Sequence, residues 1–222
     1  MVRYSRPMAV RRSSASEEGA PGVETQSTRA RLVSVAASLI DEHGEWGVKL
    51  DDVLAASGAS ASSVYHFFGN LRGLVDEAQV QRFTEARFFD VLHFRDAVAG
   101  VQTREELRTL VDTYLRGMIA ASRVPGRARR LSALASSQHN PAMRSRLAAL
   151  ETESLDDVAA GLADLQSRGL VDASIDPRTV AAVASGLLFS RSLPELIGDD
   201  DLQRAWDDRV VALITAELGL QA

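Results

Sequence analysis

The sequence predicts an all-α fold of about nine helices, and three observations carry that expectation. After residue 28, apolar residues recur at three- and four-residue intervals through nearly the whole chain. No stretch alternates apolar and polar residues as a half-buried strand does. Each of the six prolines falls at an expected break or in the N-terminal arm. A chain of 222 residues suits one sizeable core with a smaller satellite.

Taken in order, residues 1–24 mix Arg, Ser, Glu, Gly and Pro without periodicity and read as a disordered arm. Arg3, Arg6, Arg11 and Arg12 come before Glu17, Glu18 and Glu24, so the positive charge sits at the far end. The arm is either an unstructured start or a segment that touches DNA. Leu32, Val33, Ala36, Leu39 and Ile40 form one apolar helical face, which Gly44 ends. "KLDDVLAAS" is a short helix with Asp51 and Asp52 in its first turn, where acidic side chains suit the dipole. Gly58-Ala59 separates it from "SASSVYHFF". Leu74, Val75, Ala78, Phe89 and Leu92 mark a long helix from about Leu71 to near Ala97. Thr103, with Glu106 three residues on, opens another that runs to about Ala121. Pro125-Gly126 reads as a break before "RARRLSALASSQH". Asn140-Pro141 opens a long amphipathic helix through Met143, Leu147, Leu150, Leu155, Val158, Leu162 and Leu165, closing near Gly169. Asp176-Pro177 starts the next, which reaches about Ser192. "DDLQRAWDDRVVALITAELG" is the last.

Composition narrows the function classes. Hydrophobic residues make up 45% and charged residues 25%, the balance of an ordinary soluble protein. The net charge of −5 means that any nucleic-acid surface must be locally basic. The absence of cysteine excludes disulfides and thiolate metal sites and fits a reducing cytoplasm, the expected location. The basic N-terminus has no apolar run behind it, so no signal peptide is expected. "VAAVASGLLF" (180–189) is far short of the roughly 20 residues that span a bilayer. There is no Gly-x-Ser-x-Gly, phosphate-binding glycine loop or His-x-x-x-His pair, and His43, His66, His93 and His139 are scattered. No enzyme, cofactor or metal site is therefore expected.

The stretch "SGASASSVYHFFGN" (57–70) has the spacing of a helix-turn-helix. Val53 lies on the first helix, Gly58 turns, and Val64 and Phe67 are three apart on the inner face of the second. Ser60 is then a natural N-cap. Ala61, Ser62, Ser63, Tyr65 and His66 are left outward, small enough in the first turn for close approach to a groove floor. By spacing alone the pair is either a DNA reader or a plain helical corner.

Residues 28–78, with "AASLIDEHG", "DDVLAASGAS" and "SVYHFFGN", resemble the N-terminal DNA-binding domain of the TetR (tetracycline-repressor) family of transcriptional regulators. The resemblance covers about a quarter of the chain, and the rest fits in architecture alone. It implies a DNA-binding domain over 25–72 and a helical effector-binding and dimerisation domain over 73–222. It also implies a homodimer on a palindromic double-stranded operator, with repression relieved by a small ligand. Ser62 and Ser63 are the expected base-edge contacts, Tyr65 and His66 serve phosphate or thymine methyl, and Thr28, Lys49 and Arg72 position phosphate. Ser60 and Ala61 complete the set. Three of these also have a plainer reading: Tyr65 in the core, His66 and Arg72 on the surface. Three positions depart from the family. Ala61 and Leu71 stand where lysine is frequent, and Leu54 where alanine is. The rival reading is a helical interaction module whose turn has lost most DNA affinity.

In the larger domain, Val183, Leu187, Trp206, Val210, Leu213 and Ile214 form apolar stripes that either build a four-helix dimer interface or complete the monomer core. Phe89, His93, Tyr114, Met118, Gln138, His139, Met143 and Phe189 are the adaptable or polar-tipped residues from which an effector pocket would be drawn. Few fixed charges accompany them, so the effector is expected to be largely hydrophobic. "RVPGRARR" (123–130) is a basic cluster that is either solvated or serves an anionic ligand or a hinge. Over residues 25–75 the cations are Arg29, Arg31, Lys49 and Arg72 and the anions Asp41, Glu42, Glu45, Asp51 and Asp52, so 4 − 5 = −1. Titrating DNA binding at several salt concentrations should give a shallow log–log slope of about 2–4 per dimer. Deleting residues 1–20 should weaken binding and flatten that slope if the arm binds DNA.

Overall fold

Leu32, Val33, Ala36, Ala37 and Ile40 share one face of α1 (Pro21–His43), and all five are buried. The structure, a computed structural model, describes residues 21–86 and 91–221. α2 (Leu50–Ser57) and α3 (Ala61–Phe68) cross under α1, and α4 (Leu71–Glu85) closes the group. Val48, Val53, Val64, Leu74, Val75 and Ala78 join the α1 residues in this first core. α1 begins at Pro21, inside the stretch expected as an arm; the remainder of the arm lies outside the described residues.

α5 (Val91–Ala99), α6 (Arg104–Ile119), α8 (Pro141–Ser167), α9 (Pro177–Ser190) and α11 (Asp200–Glu217) surround the larger core, which runs from Phe94 to Leu220. α7 (Val124–Ser137) lies between that body and α4, and α10 (Ser192–Ile197) is a short link. No strand occurs among the described residues. The caps follow the local chemistry. Thr103 and Glu106 form the expected capping box, and Asn140 accepts from Met143 N–H at 3.0 Å. Asp176 accepts from Thr179 N–H at 2.8 Å, satisfying amides that the helix itself leaves unpaired.

Several elements differ from expectation. The long helix to Ala97 is two, because α4 stops at Glu85 where it packs on α7, while α5 packs on α8. Pro125 does not break the chain but sits in the first turn of α7, where a missing N–H is harmless. α10 extends the α9 region past the expected end, with Pro194 in its first turn. By length and composition Pro177–Ile197 could cross a membrane, but Arg191 interrupts it between α9 and α10, and Val180, Ala181, Ala184 and Leu188 are buried in the core.

α4 serves two cores. Its first half supplies Leu74, Val75 and Ala78 to the α1–α3 group. Its second half supplies Val80 and Phe83 to a small cluster with Ala133, Met143 and Leu147. The division between cores therefore runs through α4 rather than ahead of it. Gly69 and Gly73 make the α3–α4 joint possible. Gly69 is left-handed at φ 76°, and a Cβ on Gly73 would stand 2.1 Å from the Phe68 carbonyl oxygen. Gly73→Ala should destabilise by about 3 kcal/mol, an overpacking penalty that no side-chain motion relieves. Gly69→Ala, which only strains φ in open space, should cost about 1 kcal/mol. Urea unfolding of the two variants measures both.

Candidate nucleic-acid interface

The turn between α2 and α3 is built from three small residues. Gly58 takes φ 66°, ψ 12° and its N–H reaches the Leu54 carbonyl. Buried Ser57 accepts the Ala59 N–H at 3.2 Å. Ser60 caps α3 by accepting the Ser63 N–H at 3.3 Å. Val53 and Val64, both 0% exposed, hold the two helices from behind. Phe67 and Phe68 are half-buried against the same core.

The outer face of α3 consists of Ser62, Tyr65 and His66, all exposed, with Tyr65 at 55%. Ala61 and Ser63 are half-buried, and Ser60 is exposed. The Ser60 hydroxyl lies 2.8 Å from that of Ser62 and 3.0 Å from that of Ser63. A serine hydroxyl has one proton and two lone pairs, so this cluster keeps capacity toward an incoming base edge. The His66 ring stands edge-on to Phe67, with centroids 4.9 Å apart.

Two of the cations around this face, Arg72 and Arg29, are engaged within the protein. Arg72, at the start of α4, pairs with Glu45, lies 3.0 Å from Asp76 through Nε, and sits over the Trp46 ring at 5.5 Å. Arg29 pairs with Glu77 at 2.8 Å and covers the Phe68 ring. Lys49 is exposed at the N-cap of α2, and Thr28 is half-buried on α1. Sequence reasoning missed Trp46, which is 91% exposed beside Arg72; its place directly after Gly44-Glu45 was the available signal.

A polar joint links this domain to α4 and α7. The Gln79 amide nitrogen on α4 lies 2.7 Å from Glu45, 3.1 Å from Ser132 and 3.2 Å from Ser136. Ser136 also donates to Glu45. Asp41, at the end of α1, accepts from Arg82 and Arg129, each at 2.6 Å. A cleft of about 720 Å³ opens beside the joint, walled by Trp46, Arg72, Asp76, Ser136, His139 and Pro141.

The residues named for an effector pocket are not brought together. Tyr114 lines a narrow apolar cavity with Phe94, Leu115 and Val158. Met118 is in the large core and Met143 in the small one. His139 faces the cleft, Gln138 is exposed, and Phe189 lies against Arg130. Phe89 and the His93 side chain fall outside the described residues. Of the apolar stripes, Val183 and Leu213 are exposed, and Leu187 and Trp206 half-buried. Val210 and Ile214 correct the expectation: both are buried in the monomer core, because on α11 they turn inward while Leu213 turns out. Leu193, Leu196 and Ile197 of α10, all exposed, extend the surface that sequence reasoning assigned to α9 and α11 alone.

No protein-family model matches the chain, and no curated protein matches it. Solved structures do share its fold. A TetR-family transcriptional regulator from Cytophaga hutchinsonii superposes with a TM-score of 0.67 at 15% identity, over 87% of this chain and 96% of that one. A TetR-family regulator from Pectobacterium atrosepticum gives 0.57 at 21% identity, over 90% and 97%. The transcriptional regulator FadR from Bacillus subtilis, in complex with stearoyl-CoA, gives 0.59 at 14% identity, over 85% and 98%. The all-α architecture of a small helix-turn-helix domain followed by a larger helical body is thus the TetR-like regulator fold.

Acid should loosen the polar joint. Burial pushes Glu45, Glu77 and Asp41 upward, but hydrogen bonds outweigh it and hold all three below their ordinary values. The donors are Ser136, Gln79 and Arg72 for Glu45, Arg146 and Arg29 for Glu77, and Arg82 and Arg129 for Asp41. A depressed carboxylate contributes stability above its ordinary value, 4.5 for Glu and 3.8 for Asp, that is lost as pH falls through the depressed value. Asp76, raised by burial, works in the opposite sense between 3.8 and its raised value and offsets part of the loss. Urea unfolding should therefore show stability falling from neutral pH into this acid range. Glu45→Gln should lower stability at neutral pH and make the fall shallower.

Proposed function

We propose that this chain is a DNA-binding transcriptional regulator, a ligand-responsive repressor that binds a palindromic operator as a homodimer and is released by a small, largely hydrophobic effector. One observation carries the reading: α3 is held from behind by Val53 and Val64 and presents Ser62, Tyr65 and His66 outward from a glycine turn. Small residues in the first turn let the helix backbone approach base edges, and hydroxyls and imidazole supply donors and acceptors there. The TetR-like fold supports it.

The dimer is proposed to form through Val183, Leu187, Trp206 and Leu213, extended by Leu193, Leu196 and Ile197. A two-fold axis there would set two α3 helices about 34–36 Å apart, one turn of DNA, or somewhat more. The effector reading rests on the apolar cavity lined by Tyr114, and on the B. subtilis regulator of the same fold, whose ligand is an acyl-CoA.

A gel-shift assay with the DNA flanking the chain's own gene tests the reading; no complex even at low salt would sink it in favour of a helical interaction module. Given a complex, Tyr65→Ala should cost about 1–3 kcal/mol of binding and relax specificity at one position per half-site. Arg72→Ala should weaken binding to all sequences alike and lower the salt slope by about 1 per protomer.

A further inference from the structure

The basic run "RVPGRARR" holds four arginines, and the structure buries two of them. Arg127 and Arg130 lie three residues apart on α7, each 1% exposed. The Arg130 guanidinium sits 4.2 Å from the Phe83 ring centre and 4.7 Å from that of Phe189. It pairs with Glu151 of α8, whose other oxygen accepts from Ser185 of α9 at 2.9 Å. Arg127 donates to the carbonyls of Met118 and Ala120 and pairs with Glu195, while its buried Nε has no hydrogen-bond partner. Apolar side chains of similar volume often serve stability as well as buried ion pairs do. Stability alone therefore does not account for two guanidinium groups at this depth.

Three of the helices that line the narrow apolar cavity carry, further along, residues that touch these arginines or their partners. On α8, Val158 lines the cavity and Glu151 lies seven residues before it, on the same face and about 10 Å away along the axis. On α9, Ala181 lines the cavity, and Ser185 and Phe189 follow at four-residue steps. On α6, Leu115 lines it, and Met118, whose carbonyl holds Arg127, is three residues on. The cavity holds only about 40 Å³. An apolar seam along these helix faces thus leads from the cavity to Ser185 and Glu151 beside the buried Arg130.

We propose that this seam and Arg130 together form the effector site, and that its ligand is an anionic amphiphile: a carboxylate head on Arg130 with an apolar tail in the cavity. The inference rests on the effector reading above and names its chemistry. The rings cover the guanidinium, so acceptors reach it through its N–H edge, which a carboxylate matches in shape and charge. In the unliganded chain Glu151 supplies that carboxylate. The ligand's head competes with Glu151 for Arg130, while its tail parts Leu115, Val158 and Ala184.

The probes are sodium decanoate and 1-decanol, both below micelle-forming concentration, added to the full-length chain without DNA. Calorimetry should show decanoate binding about tenfold more tightly than decanol, the worth of a charge-assisted hydrogen bond. Glu151→Gln removes the Glu151 carboxylate from Arg130, so this variant should melt lower than the parent. Decanoate should then raise its melting temperature by more than it raises the parent's. Arg130→Met should lose the preference for decanoate. Equal binding of both probes, no binding of decanoate, or a Glu151→Gln variant that decanoate rescues no better than decanol would each overturn the proposal. Because no DNA is present, these outcomes are independent of the gel shift: a complex with DNA but no decanoate binding rejects this ligand class alone.

Discussion

Gln79 is fully buried midway along α4, and its side-chain amide has to find partners there or cost the fold its desolvation. It finds them on every side. Its nitrogen faces Glu45 from the first domain and Ser132 and Ser136 from α7, and its oxygen accepts from Arg82 at 2.5 Å. Arg82 in turn holds Asp41 at the end of α1. One amide therefore fixes the depth and register at which α1, α4 and α7 meet. A hydrophobic contact in its place would tolerate a sliding α7; a hydrogen-bonded amide with partners on both neighbours does not.

That register has a consequence along α7. Ser132, Ser136 and Arg129 face the joint with the first domain, while Arg127 and Arg130 are buried beside Met118, Phe189 and Glu151. The two sets are interleaved within ten residues of one helix. A displacement of α7 that changes one set moves the other, since a helix of this length translates and rotates as a body. On the regulator reading, this is where ligand occupancy and α3 spacing meet. A ligand shifts such an arrangement only by the free energy it gains differently in its two positions. An exchange of carboxylates on a buried guanidinium is a difference of that kind.

Much of the first domain was legible because its signals are local. Gly58 at the turn, Ser60 at the cap and Val53 and Val64 behind α3 are each specified by neighbours a few residues away. The caps at Thr103, Asn140 and Asp176 were legible for the same reason. What local pattern cannot reveal is which side of a helix meets another helix. Val210 and Ile214 belong to the same apolar stripe as Leu213, and only the position of α6 and α9 decides that they turn inward. Arg127 and Arg130 are indistinguishable in sequence from exposed Arg123 and half-buried Arg129 of the same run, because their burial depends on Glu195 and Glu151, 68 and 21 residues away. The end of α4 at Glu85 is set likewise by packing, α4 on α7 and α5 on α8, while the apolar spacing continues past it.

The same tertiary context recasts the scarcity of cations near α3. The lysine that Ala61 and Leu71 lack is not simply replaced by Arg72, because Arg72 is already shared between Glu45 and Asp76. A phosphate at the start of α4 has to compete with two carboxylates, one of which is also bound to Ser136 of α7. Attraction between unit charges at contact distance is several times stronger near a protein surface than in bulk water, so this competition is between terms of similar size. Trp46, exposed with its ring under the guanidinium, limits where Arg72 can swing. On the regulator reading, the strength of DNA binding then depends less on how many cations the first domain carries than on how firmly Glu45 is held by α4 and α7. Arg72 meets one oxygen of Glu45 while Ser136 and Gln79 meet the other, so a single carboxylate serves both the joint and the pair with Arg72. The missing lysine thereby becomes a reason for the two domains of this chain to be electrostatically coupled.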